Sequence, residues 1–211
     1  MQLLVQNSEK NNLLFIIAAV SMVIDHIGAA FFPQVHIFRI LGRIAFPIFA
    51  YGVAQGVKYT SDIKKYIARM LIAGIVAQPF YMYCIINKPN IMFELALYAL
   101  ALYMIKKRRI LYAFLLAAAA AVLNFDYGIY GLGMALAFFF METDKTAAII
   151  FMCAISIIMG LSSPYFVQAY AIAAIPVILF VPYKKIKLPR YFFYFFYPLH
   201  LMVLSAIKIL F

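Results

Sequence analysis

Asp25 and His26 stand side by side in VSMVIDHIGAAFF, residues 20–32, a run otherwise apolar enough for hydrocarbon. Further polar groups interrupt comparable runs: Arg39 and Arg43 in FRILGRIAF, Glu94 in MFELALYAL, Asp126 and Tyr127 in NFDYGIYG, Tyr197 and His200 in YPLHL. An ionisable side chain inside such a stretch is costly enough to mark a functional site by default. Histidine, with an unperturbed pKa of about 6.5, serves as a general base at neutral pH. Arginines supply charge for a developing oxyanion. A base, cations and a route for an activated donor are what a group transfer without a covalent enzyme intermediate requires. The sequence holds no HExxH, Walker loop, GxSxG or cysteine-rich metal cluster, so neither a metal nor a permanently bound cofactor is expected.

Helical geometry constrains these residues. Neighbours on a helix point about 100° apart, so Asp25 is badly placed to orient His26. Arg39 and Arg43 are four apart and share one face, and two guanidiniums in lipid need an anion: Asp25 or part of a substrate. Each group also has a purely structural reading. Arg39 can snorkel to the interface; Arg43 can form a packing ion pair with Asp25; His26 can bond a neighbouring helix. Glu94 can pair with an interfacial cation, and Tyr197 can belong to an aromatic belt.

The elements that position these groups follow from composition. The 211 residues are 68% hydrophobic and 12% charged, with mean hydropathy +0.99. A soluble chain has about a quarter of its residues charged, so the solvent here is lipid. The expectation is an all-α, polytopic membrane bundle of about nine helices forming one domain over 1–211. They are read over 12–32, 38–57, 65–86, 91–105, 110–124, 127–141, 147–162, 165–181 and 191–210. The first apolar run is long for a signal segment and reads as a retained helix. Cys84 and Cys153 read as buried free thiols.

With the amino terminus in the cytoplasm, fourteen of the eighteen cations face inside and four (Arg39, Arg43, Lys88 and Lys208) face outside, as the positive-inside rule requires. The net charge of +11 therefore marks topology, and nucleic acid is not an expected partner; the bilayer is. Asp25 then lies about 20 Å along the first helix, in the outer half of the membrane. Arg39, Arg43 and Asp126 start from that same side, and His200 sits mid-helix.

IDHIGAAFFP followed by FRILGRIAFPIFAYGVAQG, then NFDYGIYGLGM (124–134) and FFYFFYPLHL (192–201), resemble in order the blocks of the TraX family, membrane proteins named for the acetylation of conjugative pilin. That family resembles a wider group of transmembrane acyltransferases. The resemblance implies an acyl-CoA donor, most simply acetyl-CoA, entering from the cytoplasm. It also implies an amine or hydroxyl acceptor on the far side, such as a secreted or membrane-inserted peptide, and a bacterial cytoplasmic membrane as the setting. His26 takes the position of its catalytic histidine; Asp25 and Arg43 are read as catalytic partners of that base. Arg39, Asp126, Tyr127, Glu94, Tyr197 and His200 are read as substrate-binding. The inside clusters Lys64, Lys65, Arg69 and Lys106, Lys107, Arg108, Arg109 are candidates for the phosphates of coenzyme A, as is 184–190, although topology alone accounts for them. Two rivals are kept: a small transporter using Asp25, Arg43 and His200 as a relay, and a non-catalytic assembly subunit.

Overall fold

The computed structural model describes residues 11–184, 186–189 and 191–210, and among them all regular structure is helical. Lys10, Lys185 and Arg190 of the expected inside cations lie outside the described residues. The helices are α1 (Asn12–Phe31), α2 (His36–Gly42), α3 (Ala45–Tyr59), α4 (Ile63–Cys84), α5 (Ile91–Lys106), α6 (Ile110–Val122), α7 (Gly128–Phe140) and α8 (Lys145–Leu161). A 3₁₀ segment (Pro164–Ala173), α9 (Ala174–Phe180) and α10 (Phe192–Leu210) complete the chain. Among the described residues four stretches are long and apolar enough to cross a membrane: α1, α2 with α3, α4 and α10. These four meet the length of a full crossing, and the expected count of about nine is not confirmed by length. The other segments have 17 residues or fewer, short of the roughly 20 that a 30 Å core asks for.

Two of the expected helices are broken, and proline accounts for both. Pro47 has no N–H for the carbonyl of Arg43, and its ring crowds that carbonyl. The chain accordingly breaks between α2 and α3, where Arg43 N–H closes a tighter turn onto Ile40. Pro176 likewise deprives Ile172 of a donor. Ahead of it the chain winds as 3₁₀ turns, entered through Tyr165 and Phe166 in left-handed conformation (φ 54° and 56°). Elsewhere the sequence sets its own boundaries. Asp62, Asn90 and Asp144 cap α4, α5 and α8 by accepting from the N–H groups of Lys65, Met92 and Ala147, the usual service of short polar residues at helix starts.

Polar contacts sort the helix ends into two sets. At one end Asn11 and Asn12 donate to the carbonyls of Pro182 and Ile186. There too Lys106 Nζ caps α3 through the carbonyls of Val57 and Lys58, and Lys58 pairs with Glu142. Most of the described cations gather there. At the other end lie Arg39, Lys88 and Asp126, and Lys208 donates to the carbonyl of Cys84. Between the ends, α4 and α10 run side by side, α1 and α2 form a hairpin, and α3, α5 and α7 carry the densest core, including Ile48, Tyr98, Leu102, Met134 and Phe138.

The α1–α2 hairpin is close because it is built on glycine. Ser21, Asp25 and Gly28 share one face of α1; Ser21 Oγ donates to the carbonyl of Leu41 (2.7 Å). A Cβ on Gly28 would overlap the Phe38 side chain, and one on Gly42 would overlap Asp25. Gly42→Ala is therefore expected to destabilise the protein by about 1–3 kcal/mol, the usual range for overpacking. Gly133→Ala, whose Cβ meets only ordinary contacts at 3.5 Å or more, should be neutral or slightly stabilising. Thermal unfolding of both variants in detergent checks the contrast.

Candidate active site

Asp25 sits between two arginines. Its Oδ1 accepts from Arg43 Nη2 at 2.6 Å and its Oδ2 from Arg39 Nη1 at 2.7 Å. The carboxylate thus pairs with the arginines that the four-residue spacing put on one face, and not with its neighbour His26. Arg43 is buried and fully engaged: Nε donates to the carbonyl of Arg39 (3.0 Å) and Nη1 to Gln168 Oε1 (3.0 Å). Among the described residues Arg39, with 33% of its side chain exposed, makes its side-chain bonds through Nη1 alone. Two guanidiniums against one carboxylate leave this cluster with one net positive charge, a setting that favours an additional anion.

His26 points about a quarter-turn away, toward α10. Its Nδ1 lies 2.8 Å from His200 Nε2, with the two rings nearly parallel. The tautomers follow from His200 Nδ1, which lies 3.0 Å from the carbonyl of Phe196. A carbonyl only accepts, so in the neutral pair His200 carries its proton on Nδ1 and accepts through Nε2. His26 must then donate from Nδ1, which leaves its Nε2 with a lone pair. That is the arrangement of a general base oriented by a second ring.

Two more polar groups flank the pair. The Tyr81 ring stands edge-on to His26 at 6.3 Å between centroids, and its hydroxyl donates to Asp126 Oδ2. The other Asp126 oxygen faces Lys88 Nζ at 3.5 Å. Tyr197 packs edge-on to His200 at 5.5 Å. Glu94 stands slightly apart and is fully buried. Its Oε1 accepts from the backbone N–H groups of Tyr127 (2.9 Å) and Gly128 (2.8 Å) at the start of α7, and the Tyr98 hydroxyl lies 3.1 Å from it. Glu94 therefore holds the α7 start, where Gly128 adopts φ +47°, and its partners are two backbone N–H groups and the Tyr98 hydroxyl rather than a cation. Tyr127 stacks flat on Phe46 at 3.8 Å.

An apolar cavity of about 110 Å³ lies beside the histidine pair. Met22 and Phe196, each one turn before a histidine, line it with Val53, Met70 and Leu95. It extends toward Phe15, Tyr66 and Tyr194 near the basic end, where the Arg69 guanidinium lies over Tyr191 and Tyr194. Of the basic candidates, Lys65 pairs with Asp62 and Lys107 lies over Tyr103, while Lys106 caps α3. Lys64, Arg108 and Arg109 make no ion pair among the described residues.

Sequence reading missed Gln168, Tyr81 and Lys88. Gln168 had a signal, as the lone amide in PYFVQAYAIAA. Tyr81 had none, because tyrosine is common throughout this chain. Asp25→Asn, which leaves both guanidiniums without their anion, should lower stability by about 3–5 kcal/mol, as breaking a buried pair does. Arg39→Gln should cost clearly less because that side chain reaches solvent. Unfolding of each variant in the same detergent tests the order.

A model of the family described as TraX protein matches residues 10–208. A Dichelobacter nodosus protein named "Probable fimbrial assembly protein FimC, serogroup H1" is 28% identical over 233 aligned residues, covering 92% of this chain and 93% of the relative. An uncharacterized protein of Rickettsia prowazekii (strain Madrid E) is 37% identical over 67 residues, 32% of this chain and 25% of its own length. No solved structure matches. With nearly its whole length matched by one family model, the chain belongs to the TraX family.

Proposed function

We propose that this protein is a membrane-embedded acyltransferase, moving an acyl group, acetyl in the simplest case, from acyl-CoA to an amine or hydroxyl acceptor. The observation that carries the reading is the chain from His26 through His200 to the Phe196 carbonyl, which leaves His26 Nε2 as a buried base beside a cluster with surplus positive charge. The acceptor N–H or O–H gives its proton to Nε2 as the nucleophile attacks the thioester carbonyl. The resulting oxyanion is stabilised by positive charge, and Arg39 is the better placed donor because Arg43 is spent on Asp25, Gln168 and a carbonyl. The C–S bond then breaks, and the thiolate recovers the proton from His26. The products are an amide or ester and coenzyme A thiol.

The basic end is assigned to the cytoplasm on the positive-inside rule, in a bacterial inner membrane. The apolar cavity then receives the donor's arm from below, with Lys64, Arg69, Arg108 and Arg109 available to its phosphates. The acceptor arrives from the opposite end. A fimbrial assembly protein among the relatives supports a pilin-type peptide as that acceptor.

Thiol release from acetyl-CoA by the purified protein in nanodiscs is the direct test. His26→Ala should lose about 10²–10⁴-fold in rate, the span of a general base. His200→Ala should lose less, and His200→Gln, which keeps an acceptor for His26, should recover part of that loss. Equal release by wild type and His26→Ala would remove the base from the mechanism. Substrate flux without thiol release would favour the transporter.

A further inference from the structure

Asp126 is a carboxylate in an unusual position. It lies in the α6–α7 connection at the end opposite the basic cluster, and its side chain is 32% exposed. One oxygen, Oδ2, is held by the Tyr81 hydroxyl, and the same tyrosine ring stands against the catalytic His26. The remaining oxygen, Oδ1, faces an ammonium, that of Lys88, at a loose 3.5 Å. Lys88 sits in the α4–α5 connection, and its side chain is 28% exposed. The pair is thus a single oriented carboxylate, within one tyrosine of the base, carrying a solvent-reachable primary ammonium.

Building on the acyl-transfer reading with an amine acceptor, we infer that Asp126 Oδ1 is the docking point for the acceptor's own ammonium, with Lys88 as an internal stand-in that the acceptor displaces. A hydroxyl acceptor has no charge to offer this site. A peptide amino terminus has one, and it enters from the side where Asp126 is exposed. Tyr81 is the positioning residue: its hydroxyl fixes one carboxylate oxygen so that the other faces outward, while its ring keeps the anchor beside His26.

The protons balance with this anchor in place. The amine arrives as R–NH₃⁺ and leaves one proton to water at the open end. The neutral amine attacks the thioester carbonyl and forms the C–N bond. Its second proton passes to His26 Nε2, the C–S bond breaks, and the thiolate takes that proton. One acyl-CoA and one ammonium give one amide, one coenzyme A thiol and one released proton.

The test is steady-state kinetics in nanodiscs with acetyl-CoA and a short peptide bearing a free amino terminus. The same peptide with an amino-terminal hydroxyl in place of the amine serves as the comparison. Wild type should prefer the amine by at least tenfold in kcat/KM. Asp126→Asn, which keeps the shape and a partner for Tyr81, should raise KM for the amine tenfold or more with a much smaller change in kcat. Asp126→Glu should restore part of the loss. Lys88→Met, which removes the competitor, should lower KM severalfold; it gives an independent answer should Asp126→Asn fold badly. Equal use of the two peptides, or an amine KM unmoved by both Asp126→Asn and Lys88→Met, overturns the anchor while leaving acyl transfer standing. Absence of thiol release with every acceptor overturns both.

Discussion

The carboxylate of Asp25 between Arg39 and Arg43 is the constraint from which the rest of the site follows. A charge buried in lipid or protein persists only when it is paired and hydrogen-bonded. Here both carboxylate oxygens are taken, and Arg43 has a partner for each nitrogen. The pairing sets the rotation of α1 about its axis, because Asp25 has to face α2. Once that is settled, His26 must face α10. A buried ion pair is often no more stabilising than well-packed apolar residues. The reason to keep one is orientation together with the positive potential that the second arginine adds.

A second polar knot, parallel to the first, holds the opposite wall. Glu94 gathers two backbone N–H groups at the start of α7, where a helix favours negative charge. This fixes the turn that carries Asp126 and Tyr127. Tyr81 then ties that turn to α4. The histidine pair lies between the two knots, so neither wall moves without breaking hydrogen bonds of its own. The glycines complete the scheme by subtraction: Gly42 leaves room for Asp25, and Gly28 lets Phe38 approach.

Much of this was legible in the sequence because lipid makes polar residues rare and therefore informative. Asp25, His26, Arg39, Arg43 and His200 announced themselves by type. The four-residue arginine spacing with the 100° helical step made an arginine, rather than His26, the simpler partner for Asp25. What periodicity could not deliver was contact between distant segments. The His26–His200 bond spans 174 residues, and no local pattern encodes it. Pro47 inside the second run allows a kink, but the position of the break at Arg43 has no mark of its own, because an apolar run of the right length reads as one helix. The contacts of Glu94 were hidden for a related reason: two of its three partners are backbone N–H groups, which have no signature in side-chain sequence. The number of crossings is left open for a physical reason: apolar segments of 13 to 17 residues look like spans in sequence but are shorter than a full bilayer core.

The two histidines also join parts of the bundle that otherwise have their own attachments. α1 is bound to α2 by Ser21, Asp25 and the glycine contacts. α10 is bound to α4 by Ser205 and Lys208, which donate to the carbonyls of Phe80 and Cys84. Between these units the polar bond from His26 to His200 crosses the seam, and the apolar cavity lies along the same seam. The cavity ends about one helical turn short of the histidines, at Met22 of one unit and Phe196 of the other. Stability and access are thereby separated. The charged clamps hold each unit together, while the seam is closed mainly by apolar side chains that can part without breaking an ion pair. The histidine pair sits on that seam, with one ring fixed on α10 through the Phe196 carbonyl and the other carried by α1.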